Sequence, residues 1–141
     1  MFRTEYNIPR ITRPGDILWE PHHVLPAGAK CAVLYGDPSR EGAYVMRLSI
    51  PENVRIMPHS HTDSRIYTVL SGSFGIGFGD VFDMDELEEL TEGSIINVPA
   101  GVNHFQYSES VGYIVQVQGI GPTDTVYRDA ADDPRQARSR K

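Results

Sequence analysis

The sequence predicts an all-β domain, a barrel or sandwich of short strands. Three observations carry that prediction. Thirteen glycines and ten prolines cut the 141 residues into short pieces. Those pieces are rich in β-branched and aromatic residues, and turn signals recur between them at the spacing of a barrel or sandwich. A chain of this length is one domain, large enough to bury a core without staples. We divide it into an N-terminal arm (1–18), a single domain (19–129) and a polar tail (130–141) that is nearly free of apolar anchors and expected to fray.

Taken in order, the expected strands are Ala29 to Tyr35, Tyr44 to Ile50, Arg65 to Leu70, Ser73 to Phe78, Ser94 to Val98, His104 to Tyr107, Gly112 to Gln118 and Thr125 to Tyr127. The turns between them are "YGDPSREG", "LSGS", "FGD", "TEG" and "VPAGVN", rich in residues that supply tight turns. One segment breaks the pattern. "DVFDMDELEELTEG" has Met84, Leu87 and Leu90 at helical spacing, with Asp83 as N-cap and acids in the first turn. It predicts one short surface helix inserted between two strands. Its acids form a solvated face, because the alternating oxygen ligands and central glycine of a calcium loop are missing.

Composition narrows the function classes. Hydrophobic residues make up 40% and charged residues 23%, as in an ordinary globular domain. No apolar run approaches 18 residues, so no transmembrane helix is predicted, and "MFRTEYNIPRITRPGD" lacks the apolar stretch of a signal peptide. The single cysteine, Cys31, lies in an apolar run and reads as a buried structural thiol. These features predict a cytoplasmic protein. The net charge is −6, and the basic residues from Arg128 onward are mixed with acids or lie in the tail. No basic face is available for nucleic acid. No nucleophilic triad is supported, and "GSFGIGFG" sits in a strand pair rather than before a helix.

The chemistry concentrates in "PHSHTDSRIYTVLSG", residues 58–72. Alternation puts His59 and His61 on one face of an extended segment, about 6 to 7 Å apart. Pro58 removes a backbone donor and stiffens the approach. A third histidine, His104, follows "GSIINVPAGVN", in which Gly93 starts a strand, Pro99 ends it and Gly101 lets the chain reverse. Three imidazoles from two separated hairpins suit a facial triad with open positions for substrate or water. His22 and His23 are adjacent and are assigned to a loop.

These two blocks resemble the signature motifs of the cupins, the conserved double-stranded β-helix superfamily. The first motif, G-x5-H-x-H-x(3,4)-E-x6-G, is matched by His59, His61 and Gly72. Arg65 stands where its glutamate belongs, and Glu52 or Asn53 replaces its opening glycine. The second, G-x5-P-x-G-x2-H-x3-N, is matched by Gly93, Pro99, Gly101 and His104, with Ser108 in place of asparagine. From about Trp19 to Arg135 the chain is similar to small single-domain cupins related to the cupin half of the ChrR anti-sigma type. The resemblance implies a double-stranded β-helix and a homodimer. It also implies a divalent transition metal (iron, manganese, zinc or nickel) on His59, His61 and His104, since the three-histidine dioxygenases of the superfamily also lack the carboxylate ligand.

Arg65 changes the electrostatics of such a site. A doubly charged ion and a guanidinium about 5 Å apart repel by roughly 6 to 7 kcal/mol at an effective dielectric near 20. Three arrangements relieve this: Arg65 pairs with a carboxylate, no metal binds, or an anionic ligand lies between the cations. Asp63 is the nearest partner, either for Arg65 or as a substitute fourth ligand. If Arg65 faces inward, Tyr67 and Val69 share its face, and Gln106 shares that of His104. Arg65, Tyr67 and Gln106 are therefore the candidate catalytic residues, for anion clamping and proton handling. Gln116 and Gln118 share one strand face from which one could reach the metal, and Trp19, Tyr44 and Phe105 read as core or interface residues. Two functions remain open: a metal-dependent oxygenase, lyase or isomerase for a small anionic or carbonyl compound, and a non-catalytic cupin that binds or senses a small anion. Either implies a small-molecule partner, without nucleic acid or membrane.

Overall fold

The computed structural model describes residues 8–139. Ten strands follow one another: β1 (Glu20–Pro21), β2 (Lys30–Tyr35), β3 (Gly42–Ile50), β4 (Val54–His61), β5 (Arg65–Phe78), β6 (Glu88–Thr91), β7 (Ile95–Val98), β8 (His104–Ser108), β9 (Tyr113–Gly121) and β10 (Thr125–Tyr127). Every pairing is antiparallel. One face runs β1-β2-β3-β9-β5-β7 and the other β10-β4-β8-β5-β6, so the two sheets are joined through β5. The result is the expected all-β, jelly-roll-like double-stranded helix.

Alternation supplies the core. On β3, Tyr44, Met46, Leu48 and Ile50 point inward, and on β9 Tyr113, Val115 and Val117 face them. Ile56, Phe74 and Ile76 close the space from the second sheet, all three fully buried. Each such side chain contributes about 1.5–3 kcal/mol through removal of apolar surface from water. The alternation of β9 also settles its glutamines. The valines take the inside, so Gln118 is exposed and Gln116 accepts a 3.0 Å hydrogen bond from Arg47 Nε. Neither reaches the histidines, because apolar burial outweighs any use of these amides inside.

β5 corrects the expectation of a turn at "LSGS". The chain continues as one strand of 14 residues whose first half pairs with β7 and β9 and whose second half pairs with β6 and β8. A register irregularity between Val69 and Ser71 makes the bend, as corner strands of packed sheets require. At the corner Gly72 has φ +79°, and a Cβ there would lie 2.0 Å from the Gly112 carbonyl oxygen. Asn53, at the opening glycine of the first motif, has φ 58°. The backbone requirement has been kept there, by the non-glycine residue type that most readily tolerates it.

The inserted helix is also corrected. Met84–Glu86 form a single 3-10 turn, and Glu88–Thr91 form β6 on the free edge of β5. Asp83 does cap the turn, accepting from Asp85 N at 2.9 Å. The segment is too short to repay helix nucleation, whereas an open strand edge offers backbone partners at once. Leu87 and Leu90 are half-buried and the acids stay exposed. β1 and β4 are further strands that propensity did not mark.

In the tail, residues 130–139 form a 3-10 turn (Ala130–Asp132) and a short helix, α1 (Pro134–Ser139), rather than a fully frayed segment. Arg135 ties it down, bonding Asp124, Asp133 and the Thr125 carbonyl. Residues 8–18 of the arm are mostly exposed, and its first seven residues, like 140–141, lie outside the described residues. No helix among the described residues is long and apolar enough to cross a membrane.

Gly72→Ala is expected to cost at least ~2 kcal/mol, since left-handed backbone strain alone is about 1–2 kcal/mol and the methyl group meets backbone. Gly93→Ala, also at positive φ but with nothing within 4 Å of its Cβ, should lose only the ~1–2 kcal/mol of strain. Urea denaturation of both variants checks this, and equal losses would contradict the close approach at Gly72.

Candidate metal centre

The strand register brings the three histidines together. A bulge between Ile56 and His59 shifts the phase of β4 against β8, so that Ile56, His59 and His61 are all buried. His59 then lies directly opposite His104 on β8, while Thr125 and Tyr127 of β10 stand opposite His61 and His59. Ring centroids are 4.3 Å apart for His59 and His104, 5.1 Å for His59 and His61, and 5.2 Å for His61 and His104. One nitrogen from each ring lies within 4.8 Å of the others.

The hydrogen bonds determine which nitrogen faces the centre. His59 Nδ1 is 2.7 Å from the Met57 carbonyl and His104 Nδ1 is 3.1 Å from the Val102 carbonyl. A carbonyl only accepts, so both Nδ1 atoms carry the proton and both Nε2 atoms keep a lone pair. His61 Nδ1 is 3.1 Å from Thr125 Oγ1, and its Nε2 is 3.4 Å from the Tyr67 hydroxyl. His104 Nε2 is buried with no hydrogen-bond partner. A buried acceptor left unmet is costly, and a metal ion would satisfy it, with Nδ1 of His59 and His104 anchored to carbonyls as in metal-bound imidazoles.

Burial also keeps the rings neutral, which is the ligating form. Desolvation, with the neighbouring His104, lowers His59 to about 3. Desolvation lowers His104 to about 4 despite its Val102 hydrogen bond. His61 is pushed down furthest, by desolvation first and then by the charge of Arg65. The donor set therefore fits a divalent transition ion.

Arg65 does face inward, 5% exposed, with Tyr67 and Val69 on the same face. Its charge is met by Asp63, 3.6 Å from Nε, rather than by a surface acid. Asp63 is itself enclosed, accepting from the hydroxyls of Tyr44 and Thr123, and Arg65 Nη2 donates to Thr123 Oγ1 at 2.9 Å. Burial pushes the Tyr44 phenol up, so it keeps its proton as a donor. Gly119 makes the space, since a Cβ there would lie 2.6 Å from Asp63 Oδ2 and 2.8 Å from the Tyr44 hydroxyl. Asp63 is thus the partner of Arg65 and not a fourth ligand. Arg65 Nη1 is 3.5 Å from the Tyr67 hydroxyl, which links the ion pair to His61.

The other candidates separate by depth. Gln106 is buried and donates to the Tyr113 hydroxyl at 3.2 Å, further into the barrel. Ser108, in the place of the motif asparagine, donates to the Pro51 carbonyl and accepts from Val54 N, pinning the β3–β4 turn. Tyr44 and Phe105 are fully buried, Phe105 against Phe82 at 5.1 Å, and Trp19 is half-buried. Cys31 is half-buried and its thiol is raised by burial.

Three participants escaped the sequence reading. Thr123 and Thr125 bond Arg65 and His61 from a short segment with no motif of its own. His22, in the loop after β1, lines a cavity of about 180 Å³ together with Arg65, Thr123 and Thr125. Burial, then the charge of Arg65, lowers His22 to about 4. Its adjacency to His23 gave no sign of which ring turns inward.

No family model matches the sequence, and no curated protein matches it either. Solved structures do. The polyketide cyclase RemF from Streptomyces resistomycificus aligns with a TM-score of 0.76 at 18% identity, covering 94% of each chain. An RmlC-like cupin from Shewanella frigidimarina aligns at 0.63 and 18%, over 79% of this chain and 90% of that one. The DMSP lyase DddQ from Ruegeria pomeroyi gives 0.63 and 18%, over 79% and 61%. At this identity the likeness shows the fold, and the fold is that of the cupins.

Asp63→Ala leaves Arg65 buried without its partner and is expected to cost about 3–5 kcal/mol, more than the ~1.5–3 kcal/mol of a lost hydrogen bond to a charged group in Tyr44→Phe. Chemical denaturation of the pair of variants measures the difference. A second expectation concerns pH in metal-free protein. His59 and His104 take up protons only near about 3 and 4 when folded, but near about 6.5 when unfolded. Between those values the unfolded state binds more protons, so stability present above about pH 6.5 is lost as pH falls toward about 4. Urea midpoints in chelator at pH 7.5 and pH 5 should decrease in that order.

Proposed function

We propose that the protein is a metal-dependent enzyme for a small anionic or carbonyl compound, with a divalent transition ion held by His59, His61 and His104. The observation that carries this reading is the buried, unpartnered Nε2 of His104, within a cluster whose Nδ1 atoms are already committed elsewhere. Such an ion supplies Lewis-acid polarisation of a substrate oxygen, or oxygen chemistry if it is iron.

The residues around the histidines define the rest. Three imidazoles bring no negative charge, and Asp63 already balances Arg65, so an anionic or strongly polarised substrate completes the electrostatics of the site. Tyr67 places a hydroxyl 3.4 Å from His61 Nε2 and 3.5 Å from the Arg65 guanidinium. From there it can give a proton to, or take one from, an oxygen bound at the centre. This favours proton-transfer chemistry of the lyase, isomerase or cyclase kind over oxygenation. The cyclase and the lyase among the similar folds support an enzymatic reading.

The second reading, a cupin that binds an anion without turnover, draws on the same buried guanidinium of Arg65. Elemental analysis of protein from metal-replete growth, with electron paramagnetic resonance to identify the ion, separates the two. About one transition metal per chain is expected, and His104→Ala should remove it. Metal-free wild-type protein would leave the anion-binding reading in its place.

A further inference from the structure

The cavity of about 180 Å³ that Arg65 and His22 share is lined by both apolar and polar side chains. Val24, Val33 and Met46 give it an apolar wall from the β1–β2 loop, β2 and β3. Arg65, His22, Thr123, Asp124 and Thr125 supply its polar groups. Its volume is below the ~300 Å³ at which pockets for drug-sized ligands begin, so the guest is small.

The polar lining carries unspent hydrogen-bonding capacity. A guanidinium has five N–H donors, and Arg65 gives one to Thr123 and one to Tyr67. Its Nε faces Asp63 at 3.6 Å without making a hydrogen bond, which leaves the second N–H of Nη1 and of Nη2 for a guest. His22 and Arg65 line the same cavity. Asp124, the acid among the lining residues, is engaged by Arg135 Nη1 at 3.0 Å, and Asp63, the partner of Arg65, is covered by the hydroxyls of Tyr44 and Thr123. The cavity shares Thr125 with His61 and Arg65 with Tyr67, which places it next to the histidine cluster.

The geometry points to a short-chain monocarboxylate as the guest, with its carboxylate on Arg65 and His22 and its carbon chain along Val24, Val33 and Met46. This deepens the functional reading above and rests on it for the role of the histidines. The planar fork of a guanidinium matches the two oxygens of a carboxylate. The apolar wall selects against a fully hydrated inorganic oxyanion, and His22 becomes the specificity residue.

The test is thermal stabilisation of the full chain, metal-loaded and chelator-stripped, by sodium butanoate, its neutral isostere butyramide, and inorganic phosphate. Butanoate is expected to raise Tm in both forms with one-site concentration dependence. Butyramide and phosphate should give less than half the shift at equal concentration. His22→Ala should weaken butanoate at least tenfold while leaving metal content unchanged. The inference is overturned if butyramide or phosphate equals butanoate, if His22→Ala binds as wild type does, or if butanoate acts only on the metal-loaded form, since the ion and not Arg65 would then hold it. Metal content is read separately. Protection of stripped protein that takes no metal keeps this subsite and removes the enzymatic reading, whereas metal binding without butanoate protection does the reverse.

Discussion

The buried pair of Arg65 and Asp63 is the constraint around which the site is organised. A guanidinium inside a β-barrel survives only if its charge is met, because removing an ion from water costs several kcal/mol even after relaxation. Here the carboxylate comes from the loop between β4 and β5, two residues before the cation itself. Tyr44 from β3 and Thr123 from the β9–β10 loop complete its shell. Four segments of the chain are thereby tied to one point. Gly119 on β9 is the fifth participant through having no side chain, since the space of its missing Cβ holds the Asp63 carboxylate and the Tyr44 hydroxyl.

The same pair explains how a cation and a candidate metal centre coexist. Considered without Asp63, Arg65 and a divalent ion repel by several kcal/mol. With Asp63 at 3.6 Å the pair is formally neutral, and the repulsion is reduced to that between an ion and a dipole. The glutamate that cupin motifs place at position 65 would have lowered the charge of the centre itself. With a neutralised arginine there instead, the charge of an ion held by the three imidazoles would be left to its remaining ligands. Arg65 also lowers the proton affinity of His61, and more weakly that of His59 and His104, which keeps the rings in their ligating form.

Much of this was legible in the sequence because it depends on local spacing. The fold follows from turn residues and alternation, and the histidines follow from two motifs whose glycines and prolines set backbone direction. Asn53 shows the limit of reading residue names, since it replaces a glycine yet keeps the left-handed backbone. The misreadings have a common origin in pairing between distant segments. β6 forms because β5 has a free edge, a fact absent from "MDELEEL". β5 runs through "LSGS" because its two halves have different partners. Gln116 and Gln118 lost the interior to Val115 and Val117, a competition that the even alternation of polar and apolar residues left undecided. His22, Thr123 and Thr125 enter the site through loops whose course is a tertiary matter.

The bulge in β4 shows how such long-range detail becomes chemistry. Strict alternation from Ile56 would turn His59 and His61 outward, since both lie an odd number of residues away. One irregularity between Ile56 and His59, at Met57 and Pro58, restores both to the inside. Pro58 suits that place because the position needs no ladder hydrogen bond from its nitrogen. The corrected phase also sets His59 opposite His104 and His61 opposite Thr125, so one bulge fixes three ring positions and the hydroxyl partner of one of them. Removing it would not shift a single ligand; it would turn both β4 histidines to solvent and leave His104 alone. The site is therefore specified as much by this backbone irregularity as by the histidines it presents.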